Sequence, residues 1–385
     1  MFRFVLETFH RLIAELPPMA TRYLYPQFHL RNRLTGLIGP RGVGKTTLLL
    51  QYIKNELIKE KNSFYFSADL VYFQKLNRLE FVSDLHRKEG YKIIFIDEIH
   101  KYQGLNQELK NIYDSFPSLK IVFSGSSMLD LVAGSHDLSR REKLYRLHGL
   151  SFREYLNFSQ NLNLQPCSFQ ELMQGIAPPE IPKILTSFQT YLAQGYYPFV
   201  FEDPHSYHEK VSRVIEKTIF EDIANYYNLK TLNLHYFKKI LTYLASIPPG
   251  ELNAHNLSQN LGVDHKTAQH YLSILVSVGL IRELHIYEGG GAGLRKASKF
   301  LLNNPILKGT ERELFFIQSL QNAEVPVFFS EKADYRTRDE IFEIGGRSKT
   351  RRQLKGANLP AYLLKDDILH PLQNEIPLFQ CGFLY

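Results

Sequence analysis

The chain has 385 residues, and its 46 Lys and Arg outnumber 39 Asp and Glu to give a formal net charge of +7. That length supports two or three cored domains, and a composition of 44% hydrophobic and 22% charged residues excludes a disordered or collagen-like chain. The only two cysteines, Cys167 and Cys381, lie far apart without ligand spacing, which argues against a disulfide framework or a zinc site. The basic surplus permits contact with nucleic acid without requiring it.

Residues 2–16 read as an amphipathic helix stopped by Pro17 and Pro18. Glu7, His10, Arg11 and Glu15 interrupt it too often for a signal segment, and no stretch is long enough to span a bilayer. The expectation is a cytoplasmic protein with no membrane partner. A strand at 33–38 then runs into a glycine-rich turn and a helix from Lys45 to about Lys59. Further strands are expected at 63–67, 92–96, 121–124 and 143–148, with helices near 79–89 and 105–116 between them. The continuous apolar runs indicate strands buried on both faces, and the alternation with helices indicates an α/β fold built on a parallel sheet. Beyond Ser151 helical patterns separated by proline-containing loops take over. The resulting division is an N-terminal helical segment at 1–30, an α/β domain at 31–156, a helical region at 157–250, a small module at 251–304 and a C-terminal module at 305–385.

Gly39-Pro40-Arg41-Gly42-Val43-Gly44-Lys45-Thr46 satisfies G-x-x-x-x-G-K-[ST], with a strand before it and a helix after it. Glycines let the backbone wrap close enough for its N–H groups to converge on phosphate oxygens, and the following helix points its positive end at them. In this pattern Lys45 reaches the β- and γ-phosphates and Thr46, followed by Thr47, supplies a hydroxyl to Mg²⁺. The cofactors expected are therefore ATP and Mg²⁺.

The strand at 92–96 ends in Asp97-Glu98. Asp97 is the candidate to hold Mg²⁺ through water, and Glu98 to polarise the attacking water as a general base. The next strand ends Ser124-Gly125-Ser126-Ser127, where Ser124 or Ser126 is placed either to orient that water or to cap the following helix. Arg140 and Arg141, before the last strand, are candidates to offset γ-phosphoryl charge, usually from a neighbouring subunit or domain, or else a solvated basic pair. His100 is a weaker candidate as a nucleotide sensor.

The stretches GPRGVGKTTLL, IIFIDEIHKYQ, IVFSGSS and LHGLSFREYL together resemble a group of prokaryotic AAA-type P-loop ATPases. The resemblance is strongest through about residue 156. It implies a P-loop domain joined to a winged helix and a small α/β domain of restriction-endonuclease-like fold. It also implies the metal and base roles for Asp97 and Glu98 and makes Arg140 or Arg141 the candidate arginine finger.

In the C-terminal half, residues 253–288 carry a helix-turn-helix pattern: a short helix at 257–261, a turn at Gly262-Val263 and a second helix at 265–279. Residues 280–287 and 299–302 would form the wing. Asp264, His265, Lys266, Thr267 and Gln269 lead the second helix, the part that enters the major groove in DNA-binding versions. Arg295, Lys296 and Lys299 on the wing are candidates to meet phosphates. A winged helix used only for packing or protein contacts is the competing reading. His205, His208, His265 and His270 form no ligand set.

Asp334 with Glu343 resembles the carboxylate pair of a metal-dependent nuclease, but the lysine position two residues after the glutamate is Gly345. Lys349 or Arg347 stands nearby, and an inactive, degenerate site is the simpler reading. The whole predicts a Mg²⁺-dependent ATPase acting as switch or motor for C-terminal modules that engage DNA. The competing expectations are a non-catalytic ATP-binding protein engaging a protein partner, and a metal-dependent nuclease. Assembly into an oligomer is compatible with each.

Overall fold

A computed structural model describes residues 2–17, 20–58, 62–70, 78–99, 105–126, 141–176, 180–227, 229, 231–247, 252, 254–287, 298–303, 311–330, 332–346 and 348–385. They divide into two compact units, one of residues 1–149 and 212–231, the other of residues 150–211 and 232–385.

The first unit is built on five parallel strands, β1 (Leu34–Ile38), β2 (Ser63–Ser67), β3 (Ile93–Asp97), β4 (Lys120–Gly125) and β5 (Glu142–Arg146), in the order β2-β3-β4-β1-β5. Every residue of β1 and β3 is buried, as the unbroken apolar runs in the sequence require of strands covered on both faces. Burial of a side chain such as Phe95 contributes about 2–3 kcal/mol. The amphipathic helix Phe2–Glu15 places Val5, Phe9 and Ile13 on one buried face, where Phe9 meets Phe64 and Tyr65 with ring centroids 5.7 and 6.3 Å apart. The helix Lys45–Tyr52 continues through a π-turn at Ile53–Leu57. Residues 212–231, within the stretch read from sequence as a helical region, belong to this unit and carry a second π-turn, Thr218–Ile223.

The register fixes what gathers at the carboxyl ends of the strands. Ser67 of β2 pairs with Asp97 of β3, Ile96 with Phe123, and Leu37 of β1 with Ser124 of β4. In an open parallel sheet this edge is where ligands bind.

The second unit begins with the helix Phe152–Gln160, whose start is a complete capping box. The Glu154 N–H donates to the Ser151 hydroxyl at 3.2 Å, and the Ser151 N–H donates to Glu154 Oε2 at 3.0 Å. Helices Ala254–Leu261 and His265–Ser277 follow the expected helix-turn-helix spacing, and Asp264 caps the second by accepting from the Thr267 N–H at 3.0 Å. Ala268, Leu272 and Leu275 are buried while His265, Lys266, Gln269 and His270 are exposed. An antiparallel pair follows, β6 (Ile281–Leu284) against β7 (Lys299–Leu302). The helix Glu311–Asn322 then precedes a five-stranded mixed sheet: β8 (Phe328–Phe329), β9 (Tyr335–Arg336), β10 (Ile341–Gly345), β11 (Ala361–Lys365) and β12 (Glu375–Pro377). Its order is β12-β11-β10-β9-β8, with β10, β11 and β12 parallel and β8, β9 and β10 antiparallel.

Candidate nucleotide site

The turn after β1 closes tightly against the end of β5. The Leu147 N–H donates to the Ile38 carbonyl at 2.8 Å, and a Cβ added to Gly39 would lie 2.1 Å from the Leu147 carbonyl oxygen. Only glycine fits there. Gly42 and Gly44 take φ of 79° and 94°, the left-handed region that other residues enter at a cost. Gly44 leads into the helix beginning at Lys45, so the loop and the positive helix end face the same space. Arg22 braces this loop from the N-terminal segment, donating to the Val43 carbonyl and, at 2.8 Å, to the His148 carbonyl.

Lys45 is buried, and its ammonium donates to the carbonyls of Gly39 and Pro40, each at 3.0 Å. Burial pulls its pKa down, while the charges of Glu98 and Asp97 oppose that effect. Asp97 collects the hydroxyls around it. Thr46 Oγ1 donates to its Oδ2 at 2.5 Å, the Tyr65 phenol to the same oxygen at 2.8 Å, and the Ser124 hydroxyl to Oδ1. The Glu98 N–H also donates to Asp97 Oδ1, at 3.0 Å. Burial and the neighbouring Asp97 charge push the Tyr65 phenol far up, so it remains a donor.

Glu98 itself sits at φ 54°, one of five non-glycine residues with positive φ among those described. A non-glycine residue held in the left-handed region just past its strand costs about 1–3 kcal/mol, and such strain concentrates where a side chain must be aimed. Thr46, Asp97 and Lys45 thus come together, with Glu98 next to them. A hydroxyl and a carboxylate 2.5 Å apart are hard oxygen donors of the kind Mg²⁺ takes with waters and phosphate, so the residues present fit that ion.

Ser126 is buried just past β4, but it is Ser124 whose hydroxyl holds Asp97. Arg141 is placed elsewhere. It immediately precedes β5, whose first residue Glu142 pairs with Leu34 at the start of β1, the edge opposite the P-loop. Its guanidinium pairs with Asp114 at 2.9 Å and lies 5.4 Å from the Tyr113 ring centroid. Arg141 therefore does not serve its own P-loop. Arg140, Ser127, His100, Arg295, Lys296 and Arg347 lie outside the described residues.

Two partners were not read from the sequence. Tyr65 reaches Asp97 from the neighbouring strand, where it looks like one more apolar core residue. Arg41, inside the P-loop, is held by an acidic pair 180 residues on: its Nε lies 2.7 Å from Asp222 Oδ2 and its Nη2 3.1 Å from Glu221 Oε2. Burial alone would lower the Arg41 pKa, but the Asp222 carboxylate outweighs it and holds the guanidinium firmly charged.

A family model described as an AAA domain matches residues 31–156, the span that carries this sheet and loop. Residues 31–156 have an AAA-type P-loop nucleotide-binding fold. A second model, a domain of unknown function (DUF8612), matches residues 185–309. No curated protein matches the chain. Similar solved structures include AMPPCP-bound DnaA from Aquifex aeolicus, at 17% identity with 71% of this chain and 87% of that one covered and a TM-score of 0.26. A katanin self-assembly structure is 20% identical, with 47% and 62% covered and a TM-score of 0.27. The Hsp104–ADP complex of S. cerevisiae is 15% identical, with 71% and 41% covered and a TM-score of 0.32. The strand order and the P-loop define the fold of the first unit. Among the described residues no group of three His, Cys, Asp or Glu side chains gathers to hold a metal ion, and no described helix is long and apolar enough to cross a membrane.

Proposed function

We propose that the protein is a Mg²⁺-dependent ATPase that serves as a switch or motor for the second unit, which engages DNA. The observation that carries the ATPase reading is the convergence of Thr46 and Asp97 at 2.5 Å beside the buried Lys45 on a glycine-walled loop. The backbone of Gly39 to Thr47 cradles the phosphates and Lys45 exchanges its two carbonyl partners for phosphate oxygens. Thr46 and Asp97 would hold Mg²⁺, which when bound would neutralise charge on the β- and γ-phosphates. Tyr65 and Ser124 fix the Asp97 carboxylate, and Glu98 accepts a proton from the attacking water as it closes in line on the γ-phosphorus.

Because Arg141 lies at the sheet end opposite its own loop, it would act on a γ-phosphate only in another copy of an oligomer. The winged-helix reading of 251–304 is supported by the helix-turn-helix, the Asp264 cap, the β6–β7 pair and the exposed His265, Lys266, Gln269 and His270. Lys299 is a poorer phosphate contact than the sequence suggests, since its ammonium stacks 4.2 Å from the Phe329 ring centroid. The free thiols of Cys167 and Cys381 accord with a reducing cytoplasm.

Steady-state ATP hydrolysis with and without duplex DNA at low salt tests the proposal. A rate that rises with DNA supports the coupled ATPase. A rate indifferent to DNA removes the coupling and moves the partner to a protein. Tight ATP binding without turnover under every condition sinks the enzymatic reading and leaves a non-catalytic nucleotide-binding protein.

A further inference from the structure

Arg41 stands at one of the positions that the P-loop pattern leaves open, and it brings a charge that the turn itself does not need. Its guanidinium is gripped along one edge. Nε donates to Asp222 Oδ2 at 2.7 Å, and Nη2 donates to Asp222 Oδ1 and, at 3.1 Å, to Glu221 Oε2. A carboxylate forked on Nε and Nη2 fixes the plane of the group as well as its charge. A guanidinium has N–H groups on three nitrogens, and those on Nη1 make no hydrogen bond among the described residues.

The fork lies beside the phosphate position. Lys45 marks that position, and its ammonium donates to the carbonyls of Gly39 and Pro40. The second of these belongs to the peptide that leads into Arg41. Charge links the same groups. Burial depresses the Lys45 pKa, the Glu98 and Asp97 carboxylates oppose it, and the Arg41 charge depresses it further. For Arg41, burial works against the cation, Asp222 outweighs burial, and Glu98 adds its support. Arg41 is therefore within electrostatic reach of both the ammonium that meets the phosphates and the proposed base. Its side chain is only 14% exposed, so bulk water and salt screen that charge weakly.

Holding the segment in place does not call for this pair. Glu221 and Asp222 lie in the π-turn Thr218–Ile223, where Ile219 and Ile223 are fully buried. Each of those isoleucines contributes about 1.5–3 kcal/mol. A buried ion pair is often no more stabilising than apolar residues of the same size. What two carboxylates do and isoleucines cannot is hold one cation, charged and oriented, at the loop. π-turns within helices concentrate at functional sites. The stretches on both sides of residues 212–231 belong to the second unit, so the chain comes back to the first unit with these carboxylates.

Resting on the ATPase reading above, we infer that Arg41 is a catalytic residue of its own loop, its Nη1 N–H groups donating to the γ-phosphoryl oxygens, with Asp222 and Glu221 as the residues that position it. As water bonds to the γ-phosphorus, the P–O bond to the β-phosphate breaks and the water's proton passes to Glu98. The guanidinium offsets the charge on the γ-phosphoryl oxygens during that transfer. ADP lacks the group and gains nothing from Arg41. The charge that Arg141 does not bring to its own loop comes from Arg41 in the same chain.

The test uses the full chain in Mg²⁺, with calorimetry for ADP and for a non-hydrolysable ATP analogue, steady-state hydrolysis, and urea unfolding alongside. Arg41→Met with Asp222→Leu removes the guanidinium and its buried counter-charge together, which spares the fold. That protein is expected to lose roughly tenfold in affinity for the analogue relative to ADP. Its kcat should fall roughly 1,000-fold, the lower end of what an arginine on a γ-phosphate supplies. Asp222→Asn keeps the guanidinium but loosens its grip, so kcat should fall roughly tenfold with KM for ATP little changed. In the Arg41→Met background, Asp222→Leu should raise stability and cost nothing further in kcat, because Asp222 acts through Arg41. If the pair is only a tie, turnover follows stability. Wild-type kcat and nucleotide preference in the folded Arg41→Met, Asp222→Leu protein would then overturn the role of Arg41. Unchanged kcat in Asp222→Asn would overturn positioning by Asp222. Wild type that binds neither nucleotide would sink the ATPase reading and Arg41 with it. Where wild type binds the analogue without hydrolysing it, equal preference over ADP in wild type and variant would overturn Arg41 alone.

Discussion

Tyr65→Phe removes one hydroxyl and nothing else, and it probes the Asp97 network without altering a P-loop residue. The phenol donates to Asp97 Oδ2 at 2.8 Å in a buried setting. A hydrogen bond to a charged group contributes about 1.5–3 kcal/mol. Asp97 keeps three other donors, from Thr46, Ser124 and the Glu98 N–H, so the loss should fall near the lower end, about 1.5 kcal/mol of unfolding free energy. The functional effect is on metal. A residue that orients a metal-holding carboxylate typically costs 10–100-fold in metal affinity when removed, and with three donors remaining we expect about tenfold. The assay is ATP turnover as Mg²⁺ is varied, alongside urea unfolding without nucleotide. The half-saturating Mg²⁺ concentration should rise while ATP binding without Mg²⁺ holds. An unchanged Mg²⁺ requirement with full stability would refute the idea that Tyr65 fixes Asp97.

Gly39→Ala should cut nucleotide affinity by roughly tenfold or more, because its Cβ meets a backbone oxygen that the β5 end holds in place; equilibrium binding of a fluorescent ATP analogue reads this, and wild-type affinity would contradict it. Arg41→Ala leaves Asp222, whose side chain is 2% exposed, as a buried charge without its main partner, and should lower stability by about 3 kcal/mol. Arg41→Met with Asp222→Leu should restore most of that loss in the same unfolding assay, since the buried charge goes too. Ser151→Ala removes a helix cap and the hydroxyl that donates to the Tyr385 carbonyl at 2.9 Å, and should cost about 2 kcal/mol by thermal unfolding.

The parallel sheet was legible in the sequence because its strands are buried on both faces and read as continuous apolar runs; 63–67 was placed to the residue. The P-loop was legible because glycines, lysine and threonine must stand at fixed spacing. Tyr65 was not, since only the β2–β3 register brings it to Asp97 and its hydroxyl carries no local signal. Asp222 and Glu221 lie in an unremarkable helical stretch 180 residues from Arg41, a distance no local pattern crosses. Arg141 was read by its position before a strand, whereas the register shows which end of the sheet that position occupies.

We propose that the P-loop unit turns over ATP through Glu98, the residue held at positive φ after Asp97. The most direct measurement is steady-state ATP hydrolysis by wild type, Lys45→Ala and Glu98→Gln, with ATP binding determined for each. Turnover is expected in wild type, loss of binding or turnover in Lys45→Ala, and retained binding with turnover lost in Glu98→Gln. Normal turnover in Glu98→Gln would contradict it.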